Sequence, residues 1–298
     1  MAQRIVSLLP GATEIVAALG LADRLVGISA ECDQPSALMD RPRVSIAALD
    51  TGETDPAAID REVRARLASG APHFRADSDA LRALRPDLVL SQSLCDVCAA
   101  TPDSLTARAI GDATVLALDG RDLKGLLRDI ERVAAAAGVP DRGVRLIQSL
   151  ERRRRTVAER PRSTARVLAV EWPEPLFIGG HWVPDMIVTA GARALNAPGD
   201  HSVAIDWDQV RDFAPTVVLV LPCGQSIRGA ATGLQSLQQR PGWRALPAVR
   251  RGEVYLLDGN RYFSRPGPAA FTGLEITAHI LGTDATDPAP GAWRRATE

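Results

Sequence analysis

Short runs of aliphatic and β-branched residues alternate along the chain with longer stretches whose apolar positions recur three and four apart. The runs at 4–9, 86–90 and 113–120 return in the same order at 166–170, 215–219 and 253–259. This repetition predicts a duplicated α/β unit. Strands separated by helical stretches form parallel sheets, and open parallel sheets hold ligands outside the carboxyl ends of their strands. Two lobes with such edges facing each other enclose a cleft.

The first repeat reads as a strand, a helix from Pro10-Gly11-Ala12-Thr13-Glu14 to Leu19, with Thr13 or its neighbour as cap and Gly20 as stop, and a second strand at 25–29. Residues 56–69 carry the apolar spacing and Asp/Glu/Arg pairs of an exposed helix, and another helix at 77–84 leads into Pro86. From 121 to about 160 the pattern is helical, with Leu123, Leu126, Leu127, Ile130 and Val133 on one face and a break at Gly138-Val139-Pro140. The predicted organisation is an N-terminal α/β lobe over 1–120, a bridging helical segment over 121–163, a C-terminal α/β lobe over 164–282 and a poorly ordered tail over 283–298. A stiff helical bridge restricts two lobes to small rotations.

With 298 residues, 46% of them hydrophobic, each lobe has material for its own core. A net charge of −1 provides no long-range field to draw nucleic acid or an acidic membrane. The Glu151–Arg155 run reads as a solvated helix face. No apolar run approaches the roughly 18 residues that span a bilayer. The first strand begins at Arg4, which leaves no room for a signal peptide and predicts a cytoplasmic protein, or a periplasmic one if translation starts further upstream. In a reducing compartment Cys32, Cys95, Cys98 and Cys223 stay thiols.

All four cysteines follow strands, which puts them on the ligand side of the duplicated unit. Cys95 and Cys98 form a Cys-x-x-Cys, and Cys32 and Cys223 complete a four-sulfur shell suited to zinc or an iron–sulfur cluster. A reversible Cys95–Cys98 disulfide, a thiolate ligand to a bound chelate and small buried hydrophobes are the competing readings. Glu31, beside Cys32, is read as a ligand contact. Trp172, His181, Trp182, Trp207, Tyr262 and Phe263 offer aromatic faces for a flat macrocycle, Arg265 a cation for an acidic ligand group, and His181 a metal ligand. Gly179-Gly180 reads as a place where a ligand approaches the backbone.

Ser-Leu-Leu-Pro-Gly-Ala-Thr-Glu (7–14), Leu-Val-Gly-Ile-Ser (25–29), Leu-Arg-Pro-Asp-Leu-Val-Leu (84–90), the bridging helix and Arg-Tyr-Phe-Ser-Arg-Pro-Gly-Pro (261–268) together resemble the class III ABC-type substrate-binding proteins, the helical-backbone metal receptor group that binds vitamin B12, ferric siderophores and haem. The likeness is strongest to the B12-binding members and covers roughly residues 4–282. It implies two Rossmann-like lobes joined by a long backbone helix, a cleft holding one bulky metal chelate, and an acidic residue on each lobe that meets arginines of an ABC transporter permease. Counted from Pro86 and Pro215, those acids are Asp79 and Asp208. As residues alone, both also read as helix-start acids that favour the N-terminal dipole. The absent leader, the extra helix within 50–75 and the cysteines suggest a cytosolic-type branch.

No Gly-x-Ser-x-Gly elbow, phosphate loop or dinucleotide fingerprint is present. The leading expectation is therefore a monomeric, non-enzymatic binding protein for a corrinoid or related metal chelate. The alternative is a cytosolic cysteine-ligated metal or iron–sulfur protein with a redox or enzymatic role.

Overall fold

The computed structural model describes residues 2–48, 56–71, 73–94, 105–282 and 287–296. The first half contains β1 (Ile5–Ser7), α1 (Pro10–Ala18), β2 (Leu25–Gly27), β3 (Ser45–Ala47), α2 (Pro56–Ala68), β4 (Phe74–Ala76), α3 (Ser78–Leu84), β5 (Leu88–Gln92), α4 (Ala107–Ile110) and β6 (Thr114–Leu118). The bridge is α5 (Leu123–Ala136) and α6 (Pro140–Ala158), broken where the sequence places Gly138 and Pro140. The second half contains β7 (Arg166–Pro173), β8 (Leu176–Ile178), α7 (Trp182–Thr189), β9 (Arg193–Ala194), β10 (Val203–Ala204), α8 (Trp207–Phe213), β11 (Val217–Val220), α9 (Ile227–Gln238), α10 (Pro247–Arg250), β12 (Val254–Leu257), α11 (Gly259–Tyr262), α12 (Ala269–Ile280) and β13 (Trp293–Arg295).

The first sheet runs β2-β1-β5-β6, all parallel, and the second runs β10-β8-β7-β11-β12-β13 with β9 beside β7. Pairing there is parallel among β7, β9, β11 and β12 and antiparallel at β7–β8, β8–β10 and β12–β13. The duplication extends to register: Ile5 faces Leu88 across β1 and β5 as Val167 faces Val217 across β7 and β11.

Three differences from the expected organisation have physical causes. Leu9 rather than Thr13 stands at the N-cap of α1, Pro10 fills the first turn, and the Thr13 hydroxyl turns inward to Ser7 Oγ at 2.9 Å. The stretch expected as a loose tail forms β13, because Trp293 packs beside Tyr255 and His279, with ring centroids 5.8 and 5.3 Å away. The lobes do not have wholly separate cores either: one apolar cluster runs from Ile5 and Leu88 through Leu126, Ile130 and Val133 of α5 to Val167, Leu219 and Phe271. Each outer sheet face has a smaller cluster of its own. No helix among the described residues is long and apolar enough to cross a membrane.

Candidate functional site

The loops at the carboxyl ends of the two sheets meet. Gly11, at the start of α1, lies so close to the 266–267 backbone that a Cβ there would stand 2.6 Å from the Pro266 carbonyl oxygen. Beside this contact Arg265, only 3% exposed, reaches from the second lobe to Asp33 at 2.6 Å and Glu14 at 3.3 Å on the first. Asn260 Nδ2 donates to the other Asp33 oxygen at 2.8 Å. The two acids respond differently to one cation. Burial raises the Glu14 carboxyl despite Arg265, whereas at half-exposed Asp33 the upward push of burial is outweighed by the Arg265 hydrogen bond and charge, with help from Asn260, and the carboxyl sits below its ordinary range. Both acids hang on Arg265 Nη1, and its buried Nε and Nη2 have no hydrogen-bond partner. The residue expected to meet a ligand acid is thus also the ion pair that pins the lobes.

The sequence-selected aromatics divide. Trp182 and Phe263 are buried in the central core, joined by a 2.8 Å hydrogen bond from Trp182 Nε1 to the Phe263 carbonyl, so they are packing residues and not ligand faces. Trp207 stacks on Trp243, donates to the Pro241 carbonyl at 2.6 Å and packs on the outer cluster of the second lobe, away from a cleft role. Trp172, near the carboxyl end of β7, and Tyr262, at the end of α11, are half-buried, with Arg261 lying 5.3 Å from the Tyr262 ring centroid. Trp172 Nε1 donates to the Pro56 carbonyl of α2 at 3.2 Å.

His181 adopts φ 56° between Gly180 and α7. Gly180 is needed there for the chain itself, since a Cβ would stand 2.2 Å from Ser202 N, so the space expected for a ligand is filled by the 200–202 backbone. The His181 ring lies 5.5 Å from that of His201, whose Nε2 meets Arg121 Nη1, at the start of the bridging segment, at 3.1 Å. Burial first, then His201 and Arg121, pushes the His181 imidazole down to about 4, leaving it neutral at physiological pH.

Cys32 is buried with its sulfur 3.2 Å from Thr13 Oγ1, and burial pushes the thiol up, away from the thiolate a metal would need. Cys223 is half-buried on the loop after β11, while Cys95 and Cys98 lie outside the described residues. Among the described residues no cluster of three or more His, Cys, Asp or Glu side chains could hold a metal. Glu31 is exposed, its backbone N–H donating to Ser29 Oγ at 3.3 Å.

Asp79 and Asp208 occupy the same place in each repeat, the second residue of α3 and α8. They are not the caps. Asp77 accepts from Asp79 N and Ala80 N at 3.1 Å, and Asp206 stands at the N-cap of α8, where its N–H donates to Gln209 Oε1 at 2.9 Å. The Asp79 and Asp208 side chains are therefore left 89% and 76% exposed, each paired only with an arginine one turn on, Arg82 at 2.9 Å and Arg211 at 2.5 Å. Sequence reasoning missed Glu14, Asp33 and Asn260 as site residues. The available signal was Arg265 itself, because a buried guanidinium must find carboxylates.

A bilobal α/β protein bridged by helices, whose lobes meet at the carboxyl strand ends, has the architecture of an ABC-transporter substrate-binding protein. The family described as "Periplasmic binding protein" matches residues 5–260, and the chain belongs to it. It is a class III substrate-binding protein, and this family consists of binding proteins rather than enzymes. The chain is 24% identical, over 95% of its own length and 81% of the relative's, to an uncharacterised ABC transporter substrate-binding lipoprotein of Bacillus subtilis. Its fold is similar to that of a periplasmic haem-binding protein from Pseudomonas aeruginosa, with 21% identity, TM-score 0.75 and coverage of 100% and 99% of the two chains. A periplasmic vitamin B12-binding protein of Vibrio cholerae is also similar, with 20% identity, TM-score 0.62 and coverage of 94% and 97%. These findings overturn the expected cytoplasmic location, since the family is periplasmic and the Bacillus relative is a lipoprotein. The premise of a reducing compartment for the thiols lapses with it.

Proposed function

We propose that the protein holds a flat metal chelate of the tetrapyrrole type, a corrinoid on the sequence reading, between its lobes and delivers it outside the cytoplasmic membrane to an ABC transporter permease. The observation that carries this reading is the matched pair of exposed carboxylates, Asp79 and Asp208, one at the same helical position of each repeat. Duplicated lobes offering one acid each suit a two-point contact with an arginine-bearing partner. On the ligand side, the half-exposed Trp172 and Tyr262 supply aromatic faces. Two proteins of similar fold bind haem and vitamin B12, which share a planar tetrapyrrole metal chelate.

Titrating the purified protein with cyanocobalamin, cobinamide and hemin while following visible absorption tests the reading and separates the two ligand classes. Saturation at one ligand per chain by a corrinoid is the expected result, and saturation by hemin alone would move the assignment to haem. Absence of any spectral change with all three at high micromolar concentration would remove the chelate reading.

A further inference from the structure

β3 and β4, which flank α2 along the chain, form a neck at the first lobe. The two strands pair antiparallel, Ser45 with Ala76 and Ala47 with Phe74, and Ala48 N–H donates to the His73 carbonyl at 2.8 Å. Beyond this neck stands α2, in which Pro56 alone is buried. Its charged face is satisfied locally, as in the 2.7 Å Arg64–Asp60 pair.

Besides the nearby His73 of the first lobe, α2 reaches the other lobe. Trp172 Nε1 donates to the Pro56 carbonyl at 3.2 Å, and the Arg64 guanidinium lies 6.0 Å from the Phe177 ring centroid. Pro56 and Ile59 face Trp172, Pro222 and Thr232 across a narrow crevice. Trp172 ends β7 and Pro222 follows β11, so this seat is at the carboxyl edge of the second sheet, where an open α/β sheet receives its ligand. The crevice has no room for a macrocyclic chelate, which needs the upper part of the roughly 300–1,000 Å³ of ordinary ligand pockets.

We infer that α2 is a lid that the first lobe lays across the ligand edge of the second, lifting from Trp172 to admit the ligand. Pro56 and Ile59 on its underside then meet the apolar edge of the bound molecule and help to set which macrocycle is accepted. The Trp172 hydrogen bond and the Arg64–Phe177 contact are among the ties that hold it down, and Pro56 alone of its residues is buried, so the lid opens without unfolding either sheet. The ligand half of this inference rests on the chelate reading, whereas the motion does not.

Hydrogen exchange of the full chain without ligand tests the motion. Amides of α2 are expected to exchange roughly a hundredfold faster than those of α5 while β5 and β11 stay protected. Trp172→Phe, which keeps a ring but removes the N–H, is expected to speed α2 severalfold further and leave α5 unchanged. Protection of α2 equal to that of α5, or exchange in α2 indifferent to Trp172→Phe, overturns the lid. With hemin or cyanocobalamin, whichever binds, the association rate is expected to level off at high ligand concentration, at a ceiling that Trp172→Phe raises. Ile59→Ala is expected to shift the preference between the two ligands severalfold. A rate that stays proportional to ligand overturns the gating, and an unshifted preference overturns the role of Ile59. If neither ligand binds, the chelate reading falls and the exchange result alone decides the lid.

Discussion

Arg265 shows how a single residue fixes the relation of two lobes. Its guanidinium is buried, so removing it strands Glu14, which is itself 11% exposed, without a counter-charge. Breaking a buried pair from one side costs far more than the pair contributes, and Arg265→Met is expected to lower stability by about 3 kcal/mol, read from the urea unfolding midpoint. Adding Glu14→Gln should recover part of that loss, because the stranded carboxylate is then gone. Asp33 gives the pH signature of the cluster. Its carboxyl is held below the ordinary 3.8, so its stabilisation is fully present above that value and disappears as pH falls through the depressed folded-state value. The melting temperature of Asp33→Asn is thus expected to lie below that of the wild type by a constant amount at neutral and mildly acidic pH. The gap should close only below about pH 4. A gap that persists unchanged into stronger acid would mean that Asp33 acts through packing and not through its charge.

Among the elements, the repeat is written in side chains as well as strands. Arg4 Nε donates to the Leu84 carbonyl at 2.8 Å, and Arg166 Nε donates to the Phe213 carbonyl at the same distance, so each first strand ties down the end of the helix before the second. Arg85 and Ala214 take the left-handed turn, φ 43° and 48°, directly ahead of Pro86 and Pro215. These are local features, and local features are legible in a sequence: β1, β2, β5, β6, β7, β11 and β12, the bridge with its break at Gly138, and α2 itself follow from spacing, whereas the short β3, β4, β8, β9 and β10 do not. Where α2 goes was not legible, because its partners Trp172 and Phe177 lie more than a hundred residues away and its own pattern is that of a solvated helix. The same limit divided the aromatics, since Trp172 and Trp182 are alike in type and only the packing of α7 on α12 buries one of them. The final strand was hidden by its proline- and glycine-rich approach. Trp293 is its anchor, and Trp293→Ala is expected to cost about 2 kcal/mol in thermal or urea unfolding. It should also leave the β12 edge open to association, visible as concentration-dependent light scattering. A variant that unfolds as the wild type does would show that β13 rides on the sheet without supporting it.

At the scale of the whole molecule, the continuous core through α5 and the pin at Arg265 argue against a wide hinge. A transporter would therefore meet two carboxylates at a nearly constant separation. The intramolecular partners Arg82 and Arg211 do not compete strongly for them, because exposed ion pairs of this kind contribute no more than about 1 kcal/mol. An incoming arginine that loses more water on docking replaces them at little cost. Complementary charge of this sort acts mainly on the association rate, and it weakens as salt shortens the screening length to about 8 Å at physiological ionic strength. Binding to the permease reconstituted in nanodiscs is thus expected to slow with added salt and to slow markedly with either Asp79→Arg or Asp208→Arg. The double reversal should abolish the complex while leaving chelate titration unchanged, since neither side chain reaches the cleft loops around Arg265 and Trp172. Were the double variant to bind the permease at the wild-type rate, the two acids would be no more than first-turn residues of α3 and α8, and the docking surface would have to be sought elsewhere on the lobes.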